Sequence, residues 1–435
     1  MKLKKDRICM IASNDILNDP RVQKEAASAA MAGFDVRVIG LHQNRSPLSE
    51  HRPAGETTYQ IERVGQGWFK FIAMVRTVIE KISGTFLQFF KRGNETEGKD
   101  SELLATDSSG TNAFLKYLNA NRFIHFTVIV INNIFYLTKL VQLKPYICHC
   151  NDLDTLTAGY VFKKISGCKL VYDAHELWIE MDPNESAWWK KVWGFLEKMF
   201  TRKAEMVISV NKSICEELEK RYAVKRTVSI FNCPFSIRIR REVPARSDDR
   251  KLILYQGRYD PYRGLEELIE SAQYINNGVL ALRGYGVMEE ELRKLAVSLG
   301  LNSTVKFLSP VNMSELVQAA SEADIGIVPY RDLSLDYVLC TPNKIFEYMM
   351  AGLAVGVSDL PELKRIVNES GNGVIFDASD PRDIAAKINS ILEDEQLLLN
   401  MKKNSLKASY EKYNWENEAR KLIDVYRSLS EREYA

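Results

Sequence analysis

The sequence predicts an α/β protein with two Rossmann-like domains, each built on a parallel sheet. Short apolar runs alternate with amphipathic helical segments along nearly the whole chain, as in repeated βαβ units. The chain has 435 residues, which is long enough for two domains, and 46% of them are hydrophobic, which suffices for ordinary cores. Because ligands bind beyond the carboxyl ends of parallel strands, we expect the two sheets to face a central cleft.

Charge and cysteine content narrow the class of protein. The formal net charge is +2, which gives no reason to expect a nucleic acid partner. The seven cysteines are odd in number and several lie in apolar strand-like runs, as is typical of buried thiols in a reducing compartment.

Cys148-His149-Cys150 has no second ligand pair at a useful spacing, so we expect no metal site. The basic N-terminus lacks the apolar core of a signal peptide, and we expect a cytoplasmic chain.

The first domain is predicted to span residues 1–240. It begins with a buried strand at residues 8–12, a helix at 20–32 and a second strand at 36–40, which form a βαβ unit. The loop between the first strand and the helix contains Asn14 and leads to Arg21. This loop is therefore predicted to face the cleft.

Residues 68–143 are predicted to be a helical insertion in this domain. Residues 68–92 carry aromatic, aliphatic and basic side chains at helical spacing, which fits a helix on an anionic membrane or one packed on its own sheet. Residues 93–112 are polar and predict a mobile loop. Residues 123–141 are strongly apolar, but polar residues interrupt them, so we expect a buried or interfacial helix.

Two successive predicted strands end in polar residues. The strand that begins at Tyr146 delivers His149 and Asp152, and the next strand delivers His175. Because both strands belong to one parallel sheet, we expect both histidines at the same sheet edge. A tryptophan-rich and basic segment, residues 178–203, follows His175. It indicates a membrane surface or a lipid-linked acceptor, and buried tryptophans would give the same pattern.

The second domain is predicted to span residues 251–401. A strand at residues 252–256 runs into Gly257 and Arg258, and the turn continues to Arg263 and Gly264 before a helix. Glycine lets the backbone approach a ligand, and guanidinium groups bind phosphate oxygens in a bidentate manner. The turn is therefore a candidate anion site.

A second candidate anion site lies at residues 341–352. Pro342 is predicted to preset the first helical turn, and Gly352 to end the helix. The start of such a helix, with Asn343-Lys344, suits a diphosphate. Glu347 lies one turn further and can accept hydrogen bonds from ribose hydroxyls. Two anion sites that follow strands point to one ligand with a diphosphate.

The combination of these motifs resembles the GT-B retaining glycosyltransferases of family 4, also called glycosyltransferase group 1, over nearly the whole chain. The resemblance implies the GT-B fold and transfer of a sugar from a nucleoside-diphosphate sugar to a hydroxyl acceptor. It implies that the diphosphate is held by Gly257, Arg258, Arg263 and Asn343-Lys344. It also implies that His175 contacts the donor sugar near the anomeric carbon, so His175 and the two arginines are the candidate catalytic residues.

Three further positions belong to the donor side that the resemblance implies. Arg283 lies in the glycine turn after a strand at residues 279–282. Pro310 follows a strand at residues 305–308, where family members recognise the base. Leu339 stands where many members have the first of two glutamates, of which Glu347 would be the second. A subgroup with a Pro-Asn-Lys entry to this helix shares this pattern, so Leu339 does not imply inactivity.

The resemblance also implies partners and a location. The candidate acceptor-side residues are Asn14, Arg21, His149 and Asp152. The expected acceptor is a glycan or a lipid-linked glycan in bacterial-type cell-surface polysaccharide or glycolipid assembly. Arginines in place of a metal imply that the reaction needs no metal and no cofactor besides the nucleotide sugar. Terminal helices at residues 402–435 are expected to cross back to the first domain, and the chain to work in the cytoplasm or at the inner face of the plasma membrane.

Two alternative functions stay open at this point. Leu339 motivates a noncatalytic GT-B subunit that binds a nucleotide or a partner. A GT-B nucleotide-sugar epimerase is the other alternative, and its product would be an altered nucleotide sugar formed without an acceptor. The base, the sugar, the acceptor, the linkage and the oligomeric state are set by a few pocket contacts, and the sequence does not rank them.

Overall fold

The computed structural model describes residues 1–42, 46–65, 108–182, 185–239 and 250–431, with the backbone alone for residues 108–125 and 431. The chain divides into two compact units, which are residues 1–172, 203–205 and 429–435, and residues 173–202 and 206–428. This division differs from the predicted one, which groups residues 173–240 with the N-terminal domain. The predicted domains, 1–240, 251–401 and 402–435, stay a prediction.

A mainly parallel sheet forms the centre of the first unit. Its strands are β1 (Lys4–Ile11), β2 (Asp35–Leu41), β3 (Ser49–Ala54), β4 (Thr57–Val64), β5 (Pro145–Asn151) and β6 (Lys169–Ala174). They lie in the order β3-β4-β2-β1-β5-β6. Strand β1 pairs in parallel with β2 and β5, and β2 with β4, whereas β3 and β4 form an antiparallel pair. Strand β3 is absent from the sequence prediction.

Helix α1 (Pro20–Met31) connects β1 to β2 and completes the predicted βαβ unit. The Asp19 carboxylate accepts a hydrogen bond from the backbone N–H of Val22 at 3.1 Å, and Pro20 occupies the first helical turn. Both features stabilise a helix start. The apolar side of α1 is buried, as the spacing of its alanines and Val22 predicts.

Helix α2 (Ser108–Leu143) corrects part of the predicted insertion. Residues 108–112 begin this helix, although the sequence predicts a mobile loop over residues 93–112, because small and polar residues do not exclude a helix start. The rest of that loop and the predicted helix at 68–92 lie outside the described residues.

The C-terminal half of α2 packs on the first sheet. Tyr136 is fully buried, and Lys139 pairs with Glu62 at 2.6 Å. The segment Phe126–Leu143 is long and apolar enough to cross a membrane by length and composition alone, a test that a core helix also passes. One side of this segment is buried against the sheet, while Ile134 on the opposite side is exposed, which fits the predicted buried or interfacial helix.

Helix α3 (Leu153–Ser166) completes the first unit, and the second unit begins within β6. The second unit continues with a 3-10 helix (Trp178–Glu180), α4 (Ala187–Thr201), β7 (Met206–Ser209), α5 (Lys212–Tyr222) and β8 (Thr227–Ser229). Strands β7 and β8 pair in parallel.

The larger part of the second unit is a doubly wound α/β arrangement. Its elements are β9 (Lys251–Arg258), α6 (Leu265–Ser271), β10 (Gly278–Tyr285), α7 (Glu289–Ser298), β11 (Val305–Leu308), α8 (Leu316–Ala320), β12 (Ile325–Val328), α9 (Leu335–Leu339), α10 (Lys344–Ala351), β13 (Ala354–Ser358), α11 (Pro361–Ser370), β14 (Gly373–Phe376), α12 (Pro381–Leu392), α13 (Glu395–Glu411) and α14 (Trp415–Glu431). The sheet is parallel with the order β11-β10-β9-β12-β13-β14. Apolar clusters cover both of its faces. Order reverses between β9 and β12, which is where such folds bind ligands.

Helix α10 is held by a buried aromatic cluster. The Phe346 ring lies 5.1 Å from Phe231 and stacks on Tyr413 at 5.4 Å between centroids. Gly352 ends the helix in the left-handed conformation, with φ of 75°, as the sequence predicts. The helix begins at Lys344, after an N-cap at Asn343. Pro342 therefore lies just before the helix and not in its first turn, as the sequence predicts it to.

Candidate functional site

The turn that follows β9 requires glycine at two positions. Gly257 has φ of 151°, and a Cβ there would lie 2.8 Å from Nζ of Lys344. Gly264 has φ of 66°, and a Cβ there would lie 1.9 Å from the carbonyl oxygen of Pro329. No side chain fits at the second position without a shift of backbone. The turn therefore lies tightly against the segment that leads to α9 and against the start of α10.

Lys344 is buried among aromatic rings at the start of α10. Its Nζ lies 3.8 Å from the centre of the Tyr255 ring and 5.2 Å from the centre of the Tyr330 ring. Both rings offer the negative face of their π-systems to the ammonium group. Burial lowers the pKa of Lys344 well below its usual value, and the nearby Arg263 lowers it further. An anion bound here would restore the charged form.

Arg263 shares an aromatic neighbour with Lys344. Its guanidinium carbon lies 4.4 Å from the centre of the Tyr330 ring and 5.5 Å from that of Tyr337. Two cations thus meet around Tyr330, one from each predicted anion site. The hypothesis that both predicted anion sites bind one diphosphate requires such an arrangement.

Arg258 lies differently from Arg263. Its side chain is 59% exposed, and its guanidinium group bonds to the Asp260 carboxylate at 2.8 and 3.2 Å. The guanidinium carbon also lies 5.6 Å from the centre of the Tyr285 ring. Arg258 therefore lies at the rim of the turn with its own counter-ion, and an incoming phosphate would compete with Asp260.

A polar chain links Glu347 to the interior of the second sheet. Gln256 Nε2 donates to Glu347 Oε2 at 3.4 Å, and Gln256 Oε1 accepts from Arg283 Nη1 at 3.3 Å. Arg283 also lies 3.3 Å from the Glu322 carboxylate, and it is buried. Its charge is therefore satisfied within the protein, and it orients Gln256 and Glu347. The sequence prediction missed Gln256, although its position directly before Gly257 is a signal for it.

Two predicted donor positions lie at the surface. Pro310 follows β11 and is exposed, as is Asn343 at the N-cap of α10. Their backbone groups lie at the carboxyl end of β11 and at the start of a helix, which are places where ligands bind in such folds.

Leu339 lies at the end of α9, and a carboxylate stands one turn before it. Asp336 is buried and its Oδ1 accepts a hydrogen bond from the backbone N–H of Leu177 at 2.8 Å. Burial raises the pKa of Asp336 to about 6. Asn211 Nδ2 donates to the carbonyl oxygen of Leu339 at 2.6 Å. The sequence prediction missed Asp336, because the contact with Leu177 joins residues far apart in the chain.

His175 follows β6 directly. Its Nε2 lies 3.3 Å from Oδ2 of Asp173, which is fully buried, while the imidazole is partly exposed. A buried carboxylate beside a partly exposed imidazole fixes the ring orientation. Because Leu177 bonds to Asp336, the segment after His175 is tied to the helix that precedes Lys344.

The four acceptor-side candidates lie in the first unit and divide into two kinds. Asn14 is engaged in its own loop, since Oδ1 accepts from the N–H of Ile16 and Nδ2 donates to Asp19, both at 2.8 Å. Asp152 precedes α3 with φ of 61°, a conformation that costs energy for a residue other than glycine. Strained backbone of this kind clusters at functional sites.

Arg21 and His149 meet at a buried glutamate. Arg21 Nε lies 3.1 Å from Glu25 Oε1, and His149 Nε2 lies 3.7 Å from Glu25 Oε2. All three side chains are buried. The sequence predicts His149 at the exposed edge of the sheet, whereas the structure places its side chain inside the unit. Sequence reasoning missed Glu25, although its spacing of four residues from Arg21 on a helix indicates a pair.

Two protein families match the chain in sequence. Residues 236–408 match the family described as glycosyl transferases group 1, and residues 112–234 match glycosyltransferase family 4. An uncharacterized glycosyltransferase of Methanocaldococcus jannaschii is 28% identical over 313 residues, which are 66% of this chain and 76% of that protein. A D-inositol 3-phosphate glycosyltransferase of Corynebacterium urealyticum is 30% identical over 138 residues, 32% of this chain and 31% of that protein.

Solved structures resemble the chain over nearly its whole length. Sucrose-phosphate synthase from Thermosynechococcus elongatus superposes with a TM-score of 0.68 and 19% identity, covering 97% of this chain and 98% of that one. Anabaena HepE in complex with UDP gives a TM-score of 0.61 and 15% identity, covering 97% and 100%. At these identities the likeness speaks for the fold, and it confirms the predicted fold class.

Proposed function

Because the chain belongs to the GT-B glycosyltransferases of the group 1 type, we propose that it moves a sugar from a nucleoside-diphosphate sugar to a hydroxyl acceptor. The observation that carries the proposal is the meeting of Arg263 and Lys344 around Tyr330. One turn beyond Lys344, Glu347 offers a carboxylate to the ribose. The two cations that share Tyr330 would meet the diphosphate, and the carboxylate one turn of α10 further on would meet the ribose.

The cations would act on the leaving group. When the bond between the anomeric carbon and the diphosphate oxygen breaks, negative charge develops on that oxygen. Lys344 is buried and Arg263 half-buried, and both are already in place, so they would stabilise this charge without reorganisation. Because these side chains supply the positive charge, we propose that transfer needs no metal. Arg258 would join them by exchanging Asp260 for a phosphate oxygen.

We further propose that transfer proceeds with retention, as the resemblance implies. The acceptor hydroxyl would form its bond to the anomeric carbon on the face that the diphosphate leaves, and its proton would pass to a diphosphate oxygen. His175, oriented by Asp173, would donate a hydrogen bond to the sugar. Asn14 and Asp152 remain the proposed acceptor-side residues, and Arg21 and His149, which are buried against Glu25, would support that side from inside the unit. Glycan or lipid-linked acceptors of cell-surface polysaccharide or glycolipid assembly are the class we propose.

Thermal shift with UDP, GDP and ADP tests the donor site on the wild type, Glu347→Ala and Glu290→Ala. A ligand at 100 times its dissociation constant adds about 2.7 kcal/mol of stability. We expect one nucleotide to stabilise the wild type and Glu290→Ala equally, and Glu347→Ala much less. Glu290 is the matched control, because it is an exposed glutamate near the start of α7. If all three proteins respond alike, Glu347 does not bind the ribose.

Product analysis then separates the three functions. The protein is incubated with the nucleotide sugar of the stabilising base, with and without candidate glycan acceptors. Sugar transfer requires the acceptor and releases the nucleoside diphosphate. An altered nucleotide sugar without an acceptor would indicate an epimerase, and tight nucleotide binding without any product would favour the noncatalytic subunit that Leu339 suggests.

A further inference from the structure

Helix α4 has one face packed into the second unit. Trp193 is 3% exposed, and its ring lies 5.8 Å from Trp189 and 6.0 Å from Trp178. On the same side, Glu197 is buried and accepts a hydrogen bond from the Tyr222 hydroxyl at 2.8 Å. These contacts fix the rotation of the helix. The outward side of α4 is therefore a defined surface.

The outward side carries large apolar groups in a row. Trp188 is 68% exposed, Phe195 66% and Met199 36%. They occupy positions i, i+7 and i+11, which lie within about 40° of one another around a helix of 3.6 residues per turn. The alternative of buried tryptophans, which the sequence leaves open, therefore fits Trp193 and not Trp188. Aromatic side chains exposed in a row mark an interaction site more often than a plain surface.

Basic side chains border this row on one flank. Lys191 and Lys198 are exposed and lie next to the apolar row on the same outward arc, and the exposed Arg202 follows at the C-cap, where its Nε donates to the Tyr222 carbonyl oxygen at 2.9 Å. Within the part of the chain that the structure describes, no carboxylate lies within 4.0 Å of Lys191 or Lys198. Lys190, by contrast, lies on another side and pairs with Glu180 at 3.3 Å. We call the outward set the α4 surface, consisting of Trp188, Lys191, Phe195, Lys198, Met199 and Arg202.

We propose that the α4 surface docks on a membrane leaflet that carries anionic lipid headgroups. Charge complementarity selects this occupant, since three cations border the row and the glutamate of the helix, Glu197, faces inward. The aromatic and thioether side chains would enter the boundary between headgroups and acyl chains, while the cations meet lipid phosphates. A soluble phosphate would use the cations and leave the apolar row in water.

This docking goes beyond sugar transfer and does not depend on it. It would hold the second unit at the inner face of the plasma membrane, which is the location we propose. His175 and the 3-10 helix directly precede α4 in the chain, so the proposed catalytic segment would lie close to the lipid surface. A lipid-linked acceptor would then be reached by diffusion in two dimensions.

Vesicle flotation of the full chain tests the proposal. One set of vesicles is phosphatidylcholine alone, and the other contains about 30% phosphatidylglycerol. We expect binding to the anionic vesicles that falls as salt rises. Trp188→Ala with Phe195→Ala, and Lys191→Glu with Lys198→Glu, should each weaken it roughly tenfold or more. Tryptophan emission of the wild type should shift to shorter wavelength on binding, and Trp188→Ala should reduce the shift.

Two control pairs make matching changes elsewhere on the exposed surface. Lys387→Glu with Lys403→Glu makes the same change of charge at exposed lysines, and Val287→Ser with Val297→Ser removes exposed apolar groups. Both controls should bind as the wild type does. Equal binding to neutral and anionic vesicles, or equal losses in controls and α4 variants, would overturn the proposal. So would a dimer in sedimentation velocity that dissociates on Trp188→Ala with Phe195→Ala while no protein floats. Nucleotide thermal shift on every variant reports folding and the donor site separately.

Discussion

The ammonium group of Lys344 lies 3.8 Å above the Tyr255 ring, inside the second unit and shielded from water. This ring belongs to β9, and the lysine belongs to α10, so the contact joins the two predicted anion sites. An aromatic face compensates in part for the loss of water around the cation. No carboxylate among the described residues forms an ion pair with Lys344, so a bound phosphate would serve as its counter-ion.

Replacing Tyr255 by leucine should weaken nucleotide binding. The change removes the cation–π contact, so affinity for the nucleotide that stabilises the wild type should fall about 3- to 30-fold in calorimetry. Tyr255→Phe is the matched control, because it keeps the ring and removes only the hydroxyl that donates to the Arg258 carbonyl oxygen at 2.7 Å. If phenylalanine and leucine weaken binding equally, the hydroxyl and not the ring supports the site.

Lys344→Met should stabilise the fold while it disables the site. Burial lowers the pKa of Lys344, so the folded state binds fewer protons at this residue than the unfolded state does. Below the usual lysine pKa, this difference destabilises the folded state. Methionine keeps the apolar stem and removes that cost. We expect the Tm of Lys344→Met to exceed that of the wild type at pH 7, and the difference in Tm to shrink as pH rises towards the usual lysine pKa. Nucleotide affinity of the variant should be about 10- to 100-fold lower.

The wild type should also lose nucleotide affinity as pH rises from 7.5 to 10, because a neutral lysine attracts no phosphate. Isothermal titration in buffers of different ionisation enthalpy should show proton uptake on binding. Lys344→Met should show a smaller uptake. An affinity that is flat across this range in the wild type would mean that Lys344 stays neutral or charged throughout, and would contradict the coupling.

The sequence predicts the parts of the fold that depend on local pattern. Apolar runs and helix signals locate β9, α10 and the Gly352 cap, and glycine marks the turn at Gly257 because its chemistry is local. Strand β3 is missed because its polar residues and Pro53 fit a strand only when paired with β4. Asp336 is missed because its partner, the Leu177 N–H, lies far along the chain, and a single sequence holds no signal for such a contact.

Two glycines have similar backbone conformations, so the effects of replacing each by alanine distinguish conformational strain from a steric clash. Gly264 and Gly300 have φ of 66° and 72°, but only at Gly264 would a Cβ meet backbone, and at Gly300 no other described atom lies within 4 Å of it. Gly300→Ala should therefore cost about 1 kcal/mol, from backbone conformation alone. Gly264→Ala should cost at least about 3 kcal/mol and displace Arg263. Urea unfolding and nucleotide titration of both variants measure this, and similar costs would refute the clash.

Asp336→Asn should change how stability depends on pH. The pKa of Asp336 is raised from 3.8 to about 6 by burial, so the folded state holds more protons than the unfolded state between those values. Wild-type stability therefore falls as pH rises from 4 to 6, by about 2 to 3 kcal/mol from this group, and then stays level.

Asparagine does not titrate, and its Oδ1 still accepts from the Leu177 N–H. The gain of the variant over the wild type in denaturant unfolding should be small at pH 4 and full above pH 6. Asp336→Ala removes the acceptor and should lose stability relative to Asp336→Asn at every pH. A difference between Asp336→Asn and the wild type that does not vary with pH would show that Asp336 ionises freely, and would remove the basis for treating it as a buried tie between the His175 segment and α9.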